Sequence, residues 1–320
     1  MLESFKDIMR LVRWSNLLFL AALVWLMEKW VAVPVLDAAA FGEQLPSYTL
    51  WLITLATVLI AGGGYVINDY FDVKIDRVNR PDELIVTRTI PKPVAMQISL
   101  GMSIAGVLCG LVAAWLLRSM TIGIIFIIVP GLLWFYSSSY KRLFMVGNLT
   151  IALLAGLTPL LVAMANVAQL RLRFAVIMPY LTLEHDLYAW LGGFALFAFL
   201  LTWIREIVKD AQDQMGDREY ECHSMPIVWG EMWTKIFVTA LIVLTIAIIG
   251  HLWCRVLPFP TGWLSLSTRY IVFGVLIPLL GVLGLLWSAK IPSDYKTCQQ
   301  LVKFTMLLGM LFSFCIVRGM

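Results

Sequence analysis

The segment GYVINDYFDVKIDRVNRPDE carries oxygen-bearing side chains at the spacing of one helix face. Asn68, Asp72 and Asp76 follow one another every four residues. At roughly 100° of rotation per residue, these three positions stay within about 80° of arc on an α-helix. Like charges four residues apart on a helix repel each other. This first acidic stripe therefore predicts a bound cation that neutralises it.

A second acidic stripe lies in the segment REIVKDAQDQMGD. Glu206, Asp210, Asp213 and Asp217 stand at i, i+4, i+7 and i+11. On one continuous helix these four side chains fall within about 60° of arc. The second stripe predicts a second cation site.

All candidate ligands in the two stripes present oxygen. His185, His223 and His251 are far apart in the sequence, so we interpret them as structural or surface residues rather than as a zinc site. Hard oxygen ligands suit Mg²⁺, which proteins usually bind through one or two carboxylates together with substrate phosphates. The sequence therefore predicts Mg²⁺ and a phosphate or diphosphate substrate.

Basic side chains accompany both stripes. They flank the first stripe, interleave the second, and end the segment YSSSYKR, which follows the fourth apolar run. These residues are Lys74, Arg77, Arg80, Lys141, Arg142, Arg205 and Lys209. A single basic residue beside an apolar run also serves as a topological anchor. As a group, we interpret them as the surroundings of an anion site.

The elements that carry these residues have the length of membrane spans. The 320 residues are 61% hydrophobic and 14% charged, whereas soluble domains contain about a quarter charged residues. Mean hydropathy is +0.86. Runs of about 20 apolar residues can each cross a bilayer as a helix. We place them near 14–33, 49–70, 94–117, 119–138, 146–167, 188–208, 236–254, 270–289 and 303–318. We predict an all-α integral membrane protein, with nine transmembrane helices forming one bundle around a central cavity and residues 1–320 forming a single domain.

The distribution of Lys and Arg predicts the orientation. With the N-terminus in the cytoplasm, 17 of the 24 basic residues lie in cytoplasmic segments and 7 lie outside, which is the bias expected of cytoplasmic loops. No small-residue cleavage site follows the first apolar run, so we predict a retained first helix. Both stripes then face the cytoplasm from a cell (inner) membrane. The net charge of +4 gives no case for a nucleic-acid partner.

The motifs resemble those of a known family. NDYFDVKIDRVNRPDE resembles the NDxxDxxxD signature of the UbiA superfamily of intramembrane prenyltransferases. KDAQDQMGD resembles the second aspartate motif of that family, and YSSSYKRLFMVGN resembles its tyrosine-to-lysine stretch. Nine helices are the family count. The chain departs from the family at NRPDELIVTRTIPKP, where Asp82 and Glu83 replace basic or neutral residues and Arg88 falls outside the usual phosphate-binding pattern.

The resemblance implies roles for the motif residues. One Mg²⁺ would be held by Asn68, Asp72 and Asp76. A second would be held by Asp213 and Asp217, with Asp210 or Glu206, and Mn²⁺ would substitute. The residues implied to bind substrate are Asn68, Arg80, Tyr136, Lys141, Arg205 and Lys209. Lys141, with Arg205 or Lys209, would hold the diphosphate, and Tyr136 would face the cavity.

The implied reaction transfers a prenyl group from a polyprenyl diphosphate to a membrane-soluble acceptor. Mg²⁺ and Lys141 would neutralise the charge that grows on the diphosphate as its C–O bond breaks. The allylic cation needs a dry cavity, which spans rich in Leu, Phe and Trp supply. The bilayer is the surrounding partner, and no obligatory protein partner is inferred.

The second motif also bears on the acceptor. Lys209 and Asp210 stand in a register where 4-hydroxybenzoate prenyltransferases usually read Asp-Thr-x-Tyr-Ala. The form found here resembles the geranylgeranylglyceryl-phosphate geranylgeranyltransferase branch, and Lys209 suits an acceptor that carries its own phosphate. An aromatic acceptor such as 4-hydroxybenzoate is the alternative, followed by haem-type or chlorophyll-type acceptors.

A secondary transporter is the alternative outside the enzymes, because intramembrane acids often mark ion pathways. Transporter sites lie near the bilayer midplane. The two acidic stripes instead fall at one membrane face, which favours the enzyme.

Overall fold

The structure, a computed structural model, describes residues 2–256 and 265–316. Within these residues, nine helices are long and apolar enough to cross a membrane. In chain order they are α1 (Trp14–Ala38), α2 (Ser47–Asn79), α3 (Lys92–Leu116), α4 (Met120–Ser138), α5 (Val146–Phe174), α6 (Leu183–Gln212), α7 (Gly230–Cys254), α8 (Leu266–Ser288) and α9 (Pro292–Cys315). The prediction of an all-α membrane protein with nine spanning helices is confirmed.

Two helices continue well beyond their predicted ends into polar sequence. α2 reaches Asn79, so the whole first acidic stripe lies on one helix. α9 begins at Pro292 rather than near residue 303. Its start is fixed by Asp294, whose Oδ2 accepts backbone hydrogen bonds from Lys290 at 2.9 Å and Ile291 at 3.2 Å. The edge of the apolar run therefore marks neither the end of α2 nor the start of α9.

α2 and α3 pack closely through glycine. A Cβ placed at Gly63 would lie 2.9 Å from the backbone oxygen of Ser99. The Ser99 hydroxyl donates a 2.8 Å hydrogen bond to the Gly63 carbonyl. Small residues permit this close approach of helices in a membrane. The contact fixes the middle of α2, from which the acidic end projects.

The second acidic stripe is not one continuous helix, and this part of the prediction is wrong. α6 ends at Gln212, and a short helix, Gln214–Glu219, begins after Asp213. The backbone of Asp213, with φ −94° and ψ 9°, interrupts the helical path. Asp217 is therefore positioned by the turn and not by the face of α6.

Asn79, at the end of α2, holds this turn in place. Its Nδ2 donates a 3.1 Å hydrogen bond to the carbonyl of Asp213, and its Oδ1 accepts one of 2.8 Å from the backbone N–H of Gly216. A Cβ at Gly216 would lie 2.6 Å from Asn79 Nδ2. The glycine thus lets the two acidic segments come together.

Two apolar clusters surround α6. In its first half, Leu187 and Leu191 pack in a cluster with residues of helices α1 to α5. In its second half, Leu201 and Ile204 pack in a cluster with residues of α7, α8 and α9. All four side chains are fully buried. Large apolar side chains such as Trp115, 77% exposed, lie on the outside, as expected where lipid is the solvent. α6 therefore runs through the centre of the bundle, and its acidic residues lie at one end of it.

Candidate active site

A polar cavity of about 750 Å³ lies where the ends of α2 and α6 meet the turn Tyr140–Arg142. Ten of the residues selected from the sequence line it: Asn68, Asp72, Asp76, Arg80, Tyr136, Lys141, Lys209, Asp210, Asp213 and Asp217. We call it the acidic cavity. Lys74, Arg77 and Arg142 are exposed and lie outside this lining.

Asp72 is the centre of the first stripe. It accepts a 2.8 Å hydrogen bond from Asn68 Nδ2 on one oxygen and a contact from the ammonium of Lys141 on the other. Lys141 keeps this position because Gly147, at the start of α5, lies against it: a Cβ there would be 2.6 Å from the Cα of Lys141. The α4–α5 connection thus delivers its lysine to the α2 carboxylate.

The carboxylates of the second stripe have separate partners. Asp213 accepts a 2.7 Å hydrogen bond from Arg80, the residue that follows α2. Asp210 accepts a 2.7 Å hydrogen bond from Asn148 of α5. Each of these two acids is therefore held by a residue distant in sequence, and the cavity is assembled by tertiary contacts.

Asp217 lies beyond the membrane-spanning part of α6. Burial, together with repulsion from Asp213, raises the pKa of Asp217 to about 6. Cys222 lines the same cavity, but burial raises the pKa of its thiol to about 11, so it stays protonated at neutral pH. The group that this end of the cavity offers to a substrate or ion is the carboxylate.

The residues fit Mg²⁺ by the chemistry of their donors. All the acids present oxygen, and Asn68 Oδ1 is a buried acceptor without a hydrogen-bond partner. Each carboxylate has about four lone-pair sites, so Asp72 can hold Lys141 and still offer an oxygen. In the conformation of residues 2–256 and 265–316, no three acidic, histidine or cysteine side chains gather into a complete metal cluster. The metal-ligand assignments therefore stay predictions.

Glu206 and Arg205 line an adjoining cavity rather than the acidic one. The Arg205 guanidinium contacts Glu206, and Lys209 lies 3.9 Å from the same carboxylate. Glu206 is only 5% exposed. Its contacts compensate its charge within α6, which favours Asp210 as the α6 residue available to an ion.

The adjoining cavity has a volume of about 490 Å³ and is mostly apolar. Leu23, Phe126, Leu161, Phe194 and Met310 are among the residues that line it. We call it the apolar cavity. It meets the acidic cavity at five shared residues: Arg13, Asn68, Arg80, Tyr136 and Lys209. A molecule with a charged head and an apolar tail would fit across this junction.

Arg13 and Asn148 were missed by the sequence analysis. Arg13 donates a 2.8 Å hydrogen bond to Asp69 and lies over the ring of Tyr65 at 5.0 Å. In the sequence it is indistinguishable from a topological anchor before the first apolar run. Asn148 is a lone amide within an apolar segment, and the sequence contains no signal for its contact with Asp210.

Comparison with known proteins identifies the family. Residues 29–311 match the UbiA prenyltransferase family. The chain belongs to this family. The predicted UbiA resemblance is therefore confirmed, and with it the prediction of a prenyltransferase that crosses the membrane several times.

Several UbiA-family relatives share a name. The chain is 32% identical over 216 residues to a digeranylgeranylglyceryl phosphate synthase of Methanosphaera stadtmanae, covering 67% of this chain and 68% of the relative. It is 34% identical over 194 residues to the protein of the same name from Thermococcus sibiricus, covering 60% of each chain. The chain thus matches about three fifths of the second relative.

Solved structures share the fold. One, from work on digeranylgeranylglyceryl phosphate synthase in membranes, has a TM-score of 0.62 at 24% identity, covering 99% of this chain and 98% of that chain. A UbiA homologue from Archaeoglobus fulgidus bound to GPP and Mg²⁺ has a TM-score of 0.58 at 12% identity, covering 96% and 99%. At these identities the likeness concerns the fold alone.

Proposed function

We propose that this UbiA-family chain transfers a prenyl group from a polyprenyl diphosphate to the hydroxyl of a prenylglyceryl phosphate and releases diphosphate. The observation that carries the proposal is the junction of two cavities of opposite charge. The acidic cavity is lined by eight acidic and six basic side chains. The apolar cavity is lined by five basic side chains and one acid, Glu206. A metal-bound diphosphate suits the acidic cavity, and a further anion suits the apolar cavity with its excess of basic side chains.

The donor diphosphate would lie in the acidic cavity. Mg²⁺ held by the two stripes would neutralise the charge of the diphosphate, as GPP and Mg²⁺ occur together in the Archaeoglobus fulgidus homologue. We assign one ion to Asn68, Asp72 and Asp76. We assign the other to Asp210, Asp213 and Asp217, with Mn²⁺ as a substitute for either ion. Lys141 and Arg80 place positive charge beside the leaving oxygens.

The prenyl chain would extend into the apolar cavity. Its first carbon then lies near Tyr136, one of the residues shared by both cavities. The apolar walls exclude water, which would otherwise quench an allylic cation. The acceptor oxygen would form the new C–O bond as the bond to diphosphate breaks, and the hydroxyl proton would pass to water in the acidic cavity.

Lys209 is the residue that favours a phosphate-bearing acceptor. It lines both cavities, and its 3.9 Å separation from Glu206 is too long for a hydrogen bond. Its ammonium can therefore serve a second anion beside the diphosphate. The shared name of the two relatives, digeranylgeranylglyceryl phosphate synthase, supports the same acceptor.

Replacing Lys209 with Gln should raise the apparent KM for prenylglyceryl phosphate by about tenfold or more, because a charged hydrogen bond to phosphate is lost. The KM for the prenyl diphosphate should change far less. Steady-state kinetics with each substrate varied in turn measures both. Lys74→Gln removes the same charge from an exposed position and should leave both values unchanged. Loss of affinity for the diphosphate alone would contradict the acceptor assignment.

The cytoplasmic position of the site is also a proposal, supported by the charge distribution. After exposed Cys254 is replaced with Ser, a cysteine at Asp82 should react with an impermeant maleimide only from the cytoplasmic side. A cysteine at Glu184 should react only from outside. Labelling of right-side-out and inverted vesicles measures this, and the reverse pattern would place the site on the outer face.

A further inference from the structure

α9 carries a basic side chain well inside the helix, in the lining of the apolar cavity. Lys303 lies in the middle of the helix Pro292–Cys315, whereas the apolar run alone placed it at the start of the helix. The most apolar window of α9 has mean hydropathy 1.3, against 1.7 to 2.4 for the other eight spans of the described residues. Ionisable residues within spans are costly and usually line functional cavities. Lys303 lines the apolar cavity.

The charge of Lys303 is not compensated by an acid. Its ammonium donates a 2.6 Å hydrogen bond to the side-chain oxygen of Asn16 on α1. Among residues 2–256 and 265–316, no carboxylate lies within 4.0 Å of it. Three of the other four basic side chains of this cavity contact a carboxylate directly, namely Arg13, Arg80 and Arg205, and Lys209 lies 3.9 Å from Glu206. Lys303 therefore leaves positive charge available to a ligand.

A second donor lies one turn away on α9. Gln299 lines the same cavity, and its Nε2 is buried without a hydrogen-bond partner. Residues four apart on a helix point to the same side. Buried donors are nearly always satisfied by protein, water or ligand. Gln299 and Lys303 thus offer adjacent donors to one acceptor group.

We propose that Lys303 and Gln299 bind the phosphate monoester head of the acceptor lipid. This proposal rests on the proposed function and adds to it a subsite on α9. The two residues line the apolar cavity, and neither belongs to the lining of the acidic cavity. Their ligand is therefore an anion other than the diphosphate. Asn16 holds the Lys303 ammonium toward α1, so that the phosphate lies where α1 and α9 face each other.

Direct binding by the purified full-length protein tests this without turnover. The probes are hexadecylglyceryl phosphate and the neutral hexadecylglycerol, with no prenyl diphosphate present. Lys303→Met should weaken binding of the phosphate lipid by about tenfold or more and leave binding of the neutral lipid unchanged. Lys303→Arg should retain most of the affinity. Lys290→Met, an exposed lysine before α9, is the matched control and should bind as the unaltered protein does.

The subsite is overturned if Lys303→Met binds the phosphate lipid as tightly as the unaltered protein, or if it weakens both lipids equally, as a structural role would. Inorganic phosphate that competes as well as the lipid would overturn the assignment to an acceptor. Failure of the proposed function is a separate result: the unaltered protein would form no product from prenylglyceryl phosphate. Product formation with unaltered binding by Lys303→Met would reject the subsite alone.

Discussion

Asp72→Ala and Asp213→Ala should each reduce kcat by about 10³-fold or more, because each removes a carboxylate from one proposed ion site and with it the stabilisation of the leaving diphosphate. Asp72 contacts Lys141 and Asn68, and Asp213 contacts Arg80. Both acids lie in the cavity and outside the apolar clusters, so the bundle should remain folded. Product formation in vesicles and thermal unfolding of the purified protein measure the two expectations.

Asp37→Ala is the matched control, because Asp37 is exposed and its replacement removes an equal charge at a position outside the cavity lining. It should leave kcat unchanged. EDTA should abolish activity in the unaltered protein, and Mg²⁺ or Mn²⁺ should restore it. Turnover at the unaltered rate in both Asp72→Ala and Asp213→Ala would exclude the two-ion assignment.

Lys141→Met should lower kcat by about 10²- to 10³-fold with little change in the KM for the acceptor. Lys141 places its ammonium beside the Asp72 carboxylate, where the proposed diphosphate gains charge as its bond to carbon breaks. Single-turnover measurements of diphosphate release determine the effect. Arg142→Met changes the neighbouring exposed residue and should retain the unaltered rate.

Gly147→Ala tests the same role without changing a charge. The new methyl group would lie 2.6 Å from the Cα of Lys141, so the turn that carries the lysine must shift. The variant should therefore resemble Lys141→Met in its kcat and keep its KM for the acceptor. If Gly147→Ala and Lys141→Met both turn over at the unaltered rate, Lys141 does not stabilise the leaving group.

Much of the fold follows from the sequence because the apolar runs have the length of a bilayer. The extension of α2 and α9 into polar sequence was not predicted. Hydropathy ends α2 near residue 70, whereas the helix runs to Asn79. Hydropathy starts α9 near 303, whereas the cap at Asp294 starts it at Pro292. Helix ends in polar sequence depend on capping and on neighbours, which an average over apolar residues does not register. For this reason the sequence did not predict that Lys303 lies in the interior of α9.

The composition of the site was largely predictable, and its pairings were not. Helical periodicity identified the acids, and ten selected residues line one cavity. The break at Asp213 depends on Asn79, 134 residues away, and the contact of Asp210 depends on Asn148. Periodicity treats Glu206 and Asp210 as equivalent, yet Arg205 compensates only Glu206. Such contacts are set by helix packing and not by local spacing.

One competition experiment bears most directly on the proposed reaction. Purified protein in vesicles receives Mg²⁺, geranylgeranyl diphosphate and equal amounts of geranylgeranylglyceryl phosphate and 4-hydroxybenzoate, and the products are identified by mass spectrometry. The expected product is glyceryl phosphate bearing two prenyl groups, with one diphosphate released per molecule of product. Prenylated 4-hydroxybenzoate as the main product, or the absence of diphosphate release, would contradict transfer to a glyceryl phosphate acceptor.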